Sequence, residues 1–187
     1  MKTDKVSAIY NATIELMTTK GFHATSMANI IKEAGVGAGT LYHHFESKEV
    51  LINQLIIKIK TELSQAIMKN FDTSASIEKN FEMMWEATWD YTFKYQQKAY
   101  FAEMFIGSTL ISAKSLEEMY ALFAESMSFL DDAMQKGVIE SMPLEILEST
   151  IFGPIYHMLK LCRSGVVEEP MSHKNEMFTL CWKALQR

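Results

Sequence analysis

The chain is short of turn formers: eight glycines and three prolines in 187 residues cannot serve the many short strands of a sandwich or barrel. Two cysteines, Cys162 and Cys181, cannot build a disulfide framework, and each sits among apolar neighbours on a predicted helix, where a buried free thiol is expected. Long apolar runs are missing too. Uncharged stretches such as Ala34 to Phe45 and Ser149 to Leu159 fall short of the roughly 18 residues of a membrane span. The opening Met1-Lys2-Thr3-Asp4-Lys5 brings an early acid and no apolar run of the kind a secretory leader needs, so the expectation is a cytoplasmic protein with no membrane partner.

Catalytic and cofactor patterns are equally scarce. No nucleophile stands with a base and an orienting group, so an enzyme is not expected and no catalytic residue is assigned. Gly35-x-Gly37-x-Gly39 has no strand before it and no Gly-Lys-Ser/Thr after it, which removes both nucleotide fingerprints. His43 and His44 are neighbours on a predicted helix and point about 100° apart, and no cysteine or acid cluster completes a metal site. His23, His157 and His173 are scattered, and read as surface or hydrogen-bonded core residues. Neither a cofactor nor a metal is expected.

Net positive charge is also absent overall, at −5, but it is unevenly spread. Residues 1–60 carry seven lysines and five acids, and the remainder carries a net −7, so only the front third suits a polyanion. That excess is small. Phosphate contacts would have to draw on backbone N–H groups, helix N-termini and dimerisation as well as lysines.

What is plentiful is helical. Met (14), Leu, Ile, Lys and Glu abound, and apolar residues recur at three- to four-residue spacing along most of the chain. The expected fold is all-α with about nine helices. Val6, Ile9, Tyr10, Ala12, Leu16 and Met17 stripe a first helix from Asp4 to Lys20, ended by Gly21. Thr25 or Ser26 caps a short second helix to about Glu33, with Met27, Ile30, Ile31 and Ala34 inward; Gly35 breaks it. A third runs from about Ala38 to His44 with Leu41 and Phe45 inward, and Ser47 caps a fourth, carrying Val50, Leu51, Leu55, Ile59, Leu63 and Ile67 to about Asn70. Further on, Ile77, Phe81, Met84, Trp85, Thr88, Trp89 and Thr92 stripe one helix opposite a charged face, and a short apolar segment, Tyr100 to Ile106, stops near Gly107. Ser115 is the expected cap of a helix with Leu116, Met119, Tyr120, Phe123, Met127, Leu130 and Met134. Ser141-Met142-Pro143 starts a helix to about Arg163, and Ser172 to Leu185 forms the last.

The functional signal lies in two short helices, Ser26–Glu33 and Ala38–His44, joined by a tight turn at Ala34-Gly35-Val36: the order that sets a recognition helix into a major groove. The start of the second, Gly37-Ala38-Gly39-Thr40, is small enough for close approach to a duplex, and its exposed side then carries Tyr42, His43 and His44. Glycine there costs a purely structural helix roughly 0.8–1 kcal/mol relative to alanine. Thr40 can bond a base edge or touch a thymine methyl, while Tyr42, His43 and Lys48 can reach phosphates.

These residues resemble the DNA-binding domain of the TetR family of repressors. Gly21-Phe22, Thr25-Ser26, Ala34-Gly35-Val36, Gly39-Thr40-Leu41-Tyr42-His43-His44-Phe45 and Ser47-Lys48-Glu49-Val50-Leu51 fall in that family's order and spacing. The resemblance implies that Thr25, Ser26, Ala38, Gly39, Thr40, Tyr42, His43 and Lys48 face DNA, with His44 beside them. Ile31, where the family often has a small residue, and Gly37, where serine is common, depart from the pattern. The family layout implies a helix-turn-helix domain at residues 1–47 and a helical ligand-binding and dimerisation domain at 48–187, with the fourth helix as the lever between them. The expected partners are double-stranded operator DNA, a second copy of the chain, and a small hydrophobic or amphipathic ligand.

Within the second domain the Met and aromatic stripes serve as core and pocket wall together, with Trp85, Trp89, Tyr100, Met104, Phe105, Phe123, Met127 and Tyr156 as candidate ligand residues. The last two helices have broad apolar faces, and Ile151, Ile155, Met158, Leu159, Phe178, Cys181, Trp182 and Leu185 are the candidate dimer contacts. The reading is a ligand-responsive repressor. The alternative is a ligand-sequestering protein whose helix-turn-helix no longer binds an operator.

Overall fold

The computed structural model describes residues 2–69, 71–72 and 74–186. Among them are nine α-helices and no strand, as the composition requires: α1 (Lys2–Lys20), α2 (Met27–Ala34), α3 (Ala38–His44), α4 (Lys48–Met68), α5 (Ile77–Lys94), α6 (Gln96–Phe105), α7 (Ala113–Gln135), α8 (Leu144–Arg163) and α9 (Lys174–Leu185), with a 3-10 turn at Pro170–His173. The protein is all-α. Asn70, the expected end of α4, lies outside the described residues.

Several helix boundaries differ from the pattern reading for identifiable reasons. Ser112, not Ser115, caps α7: its hydroxyl accepts the Ser115 N–H at 3.1 Å and its carbonyl accepts the Leu116 N–H at 3.0 Å. Ser115 is instead the third residue of the helix, buried, with its hydroxyl 2.9 Å from that of Ser112. Pro143 stands just before α8 rather than in its first turn. The last helix begins at Lys174, because residues 170–173 wind into the tighter turn.

The chain packs as two compact units, Met1–Lys60 with Gln97–Glu118, and Thr61–Gln96 with Met119–Arg187. In the first, Ile9, Met17, Ile30, Leu41, Phe45, Leu51, Ile52 and Phe101 are fully buried. Asn53 is one of the polar residues buried in this unit. Asn53 donates from Nδ2 to the carbonyls of Glu49 (2.7 Å) and Leu110 (2.8 Å), and its Oδ1 accepts the Ser112 N–H at 2.9 Å. A side-chain amide thereby takes up the polar backbone between α6 and α7 that a leucine would leave unpaired.

In the second unit α5, α8 and α9 pack on one another. Their core is a run of rings: Trp182 against Phe81 at 4.9 Å, Phe81 against Phe178 at 5.9 Å, Phe178 against Trp85 at 5.7 Å, Trp85 stacked on Trp89 at 5.0 Å, and Trp89 against Phe93 at 4.6 Å. Ring pairs of this kind add about 0.5–1.5 kcal/mol each beyond their area burial. On α7 the buried line is Ser115, Met119, Ser126, Leu130 and Ala133, so Leu116 and Tyr120, expected inward, are exposed.

Replacing Asn53 by leucine is expected to lower unfolding free energy by about 1–3 kcal/mol, the cost of orphaning the Leu110 carbonyl and the Ser112 N–H. The exposed neighbour Gln54, changed to alanine, is expected to stay within about 0.5 kcal/mol. Urea unfolding followed by far-UV circular dichroism checks both.

Candidate nucleic-acid interface

The front of the chain builds its three-helix module from local rules. Gly21 ends α1 with φ +83° and donates to the Met17 carbonyl at 3.0 Å. Ser26 then caps α2 in a reciprocal box: its Oγ accepts the Asn29 N–H (3.1 Å), and the Asn29 Oδ1 accepts the Ser26 N–H (3.0 Å). Asparagine fills the place where glutamate or glutamine is usual. α2 stops at Gly35, whose φ of +63° suits glycine, and the Gly35 and Val36 N–H groups close the helix onto Lys32 and Ile31 carbonyls at 3.3 Å each. Two residues later α3 begins.

α3 is fixed by its inward side. Leu41 and Phe45 are 0% and 1% exposed, and the Phe45 ring lies 5.5 Å from that of Tyr10 on α1. Burying two such side chains contributes about 3–6 kcal/mol. The opposite side is open: Ala38, Gly39, Tyr42 and His43 are exposed, Tyr42 at 52%, while Thr40 and His44 are half-buried, with the His43 and His44 rings edge to face at 5.1 Å. The structure therefore brings Ala38, Gly39, Thr40, Tyr42, His43 and His44 together on one short helix, with Ser26 exposed at the start of the helix before it.

Two of the expected DNA contacts are engaged within the fold. Thr25 is 1% exposed, and its hydroxyl donates to the Gly21 carbonyl at 2.9 Å, so it is neither the cap of α2 nor a surface group. Lys48 donates from Nζ to the carbonyls of Phe22 and Thr25, both at 2.9 Å, and its ammonium sits 3.7 Å from the centre of the Phe22 ring. A lysine so held ties the start of α4 to the α1–α2 loop instead of reaching outward for a phosphate. Pattern reading missed Phe22 and Asn29 in these supporting roles; the Gly21-Phe22 pair was visible, but not the ammonium above the ring.

The candidate ligand residues are divided between the two units. Tyr100, Met104 and Phe105 belong to the first unit, where Phe105 is 3% exposed and meets the Phe22 ring edge at 6.1 Å, as a core residue does. In the second unit Trp85 and Trp89 are fully buried against each other, and Phe123, Met127 and Tyr156 are half-buried. A groove of about 730 Å³ in that unit is lined instead by Asp90, Phe93, Lys94 and Gln96 with Glu168 to Ser172, and Lys174 nearby bridges Asp90 at 2.9 Å.

The candidate dimer residues need a similar correction. Ile151, Ile155, Leu159 and Leu185 are 0–1% exposed, and Cys181 and Trp182 are 4% and 7% exposed, so these six lie in the core the chain makes with its own α5. The most continuous apolar stripe of an amphipathic helix faces its own subunit first. Met158 and Phe178 are half-buried. The side chains on the outward sides are others: Ile146 and Leu180 are 55% and 56% exposed, and Gly153 and His157 lie on the same outward side of α8 as Ile146.

An all-α chain whose front presents a short, tertiary-held recognition helix after a glycine turn is a helix-turn-helix protein. Residues 9–55 match the family described as bacterial regulatory proteins, tetR family, and residues 56–187 match the tetracyclin repressor-like C-terminal domain. The chain belongs to the TetR family of helix-turn-helix transcriptional regulators.

An uncharacterized HTH-type transcriptional regulator of Haemophilus influenzae is 33% identical over 88 residues; the match covers 47% of each, so the chain spans about half the length of that relative. IcaR of Staphylococcus aureus, a negative transcriptional regulator of the biofilm operon icaADBC, is 27% identical over 181 residues, 92% of this chain and 94% of IcaR. The crystal structure of a TetR family transcription regulator from Marinobacter aquaeolei VT8 superposes with a TM-score of 0.90 at 25% identity, covering 99% of this chain and 97% of that one.

Lys48→Met is expected to cost about 2–4 kcal/mol of stability, because it removes two charge-assisted hydrogen bonds and a cation–π contact and leaves two carbonyls bare. His43→Ala, exposed, is expected to stay within about 0.5 kcal/mol. Denaturant titrations of both variants separate the tether from the surface. Burial also raises the Cys181 thiol above its ordinary pKa. Alkylation by iodoacetamide at pH 8 is therefore expected to reach Cys181 only when the protein unfolds, detected by mass spectrometry across a urea series.

Proposed function

We propose that the protein represses transcription by binding a near-palindromic operator as a homodimer, and that a small hydrophobic or amphipathic ligand releases it. The observation that carries the proposal is the exposed side of α3, a helix buried on one side only and presenting Ala38, Gly39, Thr40, Tyr42 and His43 to solvent. Two such helices about 34 Å apart enter successive major grooves on one face of a duplex. Repression, rather than activation, is supported by the likeness to IcaR over nearly its whole length.

For the second copy the proposal uses the outward sides of α8 and α9. Ile146 and Leu180 supply exposed apolar groups, and Gly153 leaves a bare backbone where a partner helix can come close. The fold itself does not require that glycine: a Cβ there would meet nothing within 4 Å. The ligand is proposed to act on the second unit, where the half-buried Phe123, Met127 and Tyr156 offer aromatic and thioether surface beside the buried Trp85–Trp89 core, and to bind the released state more tightly than the operator-bound one, since equal affinity shifts no equilibrium.

Duplexes selected from a random pool with the full-length protein are expected to contain two half-sites about one helical turn apart, with affinity falling steeply as salt rises. Tyr42→Ala is expected to weaken binding at least tenfold while leaving the circular dichroism spectrum unchanged. A protein that selects no duplex yet binds small hydrophobic molecules tightly would be a sequestering protein instead. In sedimentation velocity the native chain is expected to run as a dimer, and Leu180→Glu and Gly153→Leu to shift it toward monomer without loss of helix content.

A further inference from the structure

The recognition helix carries no side chain able to fork onto a base. From Gly37 to Phe45 there is no arginine, lysine, asparagine or glutamine, the residues that pair bidentately with guanine or adenine in the major groove. With Leu41 and Phe45 inward, the line facing directly away from the core is Gly39 and His43. Thr40 and Tyr42 flank that line, and Ala38 opens the helix.

The two glycines of this segment are not demanded by the fold. Gly37 and Gly39 have no left-handed φ, and a Cβ at either would meet nothing within 4 Å. Glycine weakens a helix it does not shape, so a midline left bare at Gly39 is best accounted for by what must come close to it from outside. A helix that seats deeply brings its shortest side chains to the base edges.

Thr40 differs in one respect from the hydroxyl residues that brace the helices before and after it. Thr13, Thr18, Thr19 and Thr25 each donate to a carbonyl of their own chain, and Ser26 and Ser47 cap helices. The half-buried Thr40 hydroxyl has no partner among the described residues. Its side chain carries both a methyl group and an uncommitted hydroxyl. Ala38 offers a methyl alone.

We infer that each half-site is read chiefly through thymine 5-methyl groups, contacted by the methyl groups of Ala38 and Thr40, and not by bidentate hydrogen bonds. Among the four bases only thymine carries a methyl group on its major-groove edge, so apolar contact there distinguishes it without a forked donor. Tyr42 and His43 are left for the sugar–phosphate backbone. The inference rests on the operator-binding reading above and specifies how that surface chooses its sequence.

The test uses the full-length protein and a duplex recovered by selection from a random pool, with each thymine of the half-sites replaced in turn by deoxyuridine, which removes the methyl and nothing else. At one or two positions per half-site the loss of one methyl is expected to raise Kd about fourfold, and loss of the symmetry-related pair about fifteenfold. Thr40→Ser keeps the hydroxyl without the methyl and should lose the thymine–uracil distinction at one position; Thr40→Val keeps the methyl and should retain it. If the intact duplex binds specifically and every deoxyuridine substitution leaves Kd within twofold, methyl readout is wrong while operator binding stands. If no duplex is selected at all, operator binding fails and this inference with it.

Discussion

A helix of seven residues cannot hold itself. Forming its first turn is unfavourable, and isolated helices shorter than about 12 residues are marginal in water, so α3 exists only because Leu41 and Phe45 are buried against the helices before it. Everything proposed for the surface of α3 depends on that anchorage. The half facing out is freed from any structural duty, and can be as small, as glycine-rich and as poor in helix formers as close approach to a duplex requires.

The polar residues around α3 divide between holding the module and facing outward. Ser26 and Asn29 satisfy each other at the start of α2, Thr25 returns its hydroxyl to Gly21, and Lys48 closes the α1–α2 loop through two carbonyls and the Phe22 ring. With that lysine engaged internally, the weak positive balance of residues 1–60 leaves little free charge on this face. Contact with a polyanion then has to rely on surface fit and on doubling the site, more than on a dense field of cations.

The second unit is organised by a different economy. Its aromatic run from Trp182 to Phe93 consumes the widest apolar faces of α5, α8 and α9 inside one subunit. On α8 and α9 the large apolar side chains left exposed are Leu144, Ile146 and Leu180, beside a bare Gly153. In the dimer proposed above, a partner helix would gain from close backbone approach at Gly153, in the middle of a 20-residue helix, what this surface lacks in bulk.

The sequence alone determined the local features: helix periods, the stops at Gly21 and Gly35, the inward pair Leu41 and Phe45, and the whole α2–turn–α3 segment, because each follows from the covalent character of residues within a few positions of one another. It also carried the family, since that segment has a fixed order and spacing. Tertiary structure decided which of two chemically equivalent uses each side chain serves. Lys48 could reach a phosphate or a carbonyl, Thr25 could cap α2 or bond Gly21, and Ile151 could face a second copy or α5. Periodicity tells that a stripe is buried but not against what, and a donor's choice among acceptors 23 or 26 residues away is settled only when packing brings them within 2.9 Å.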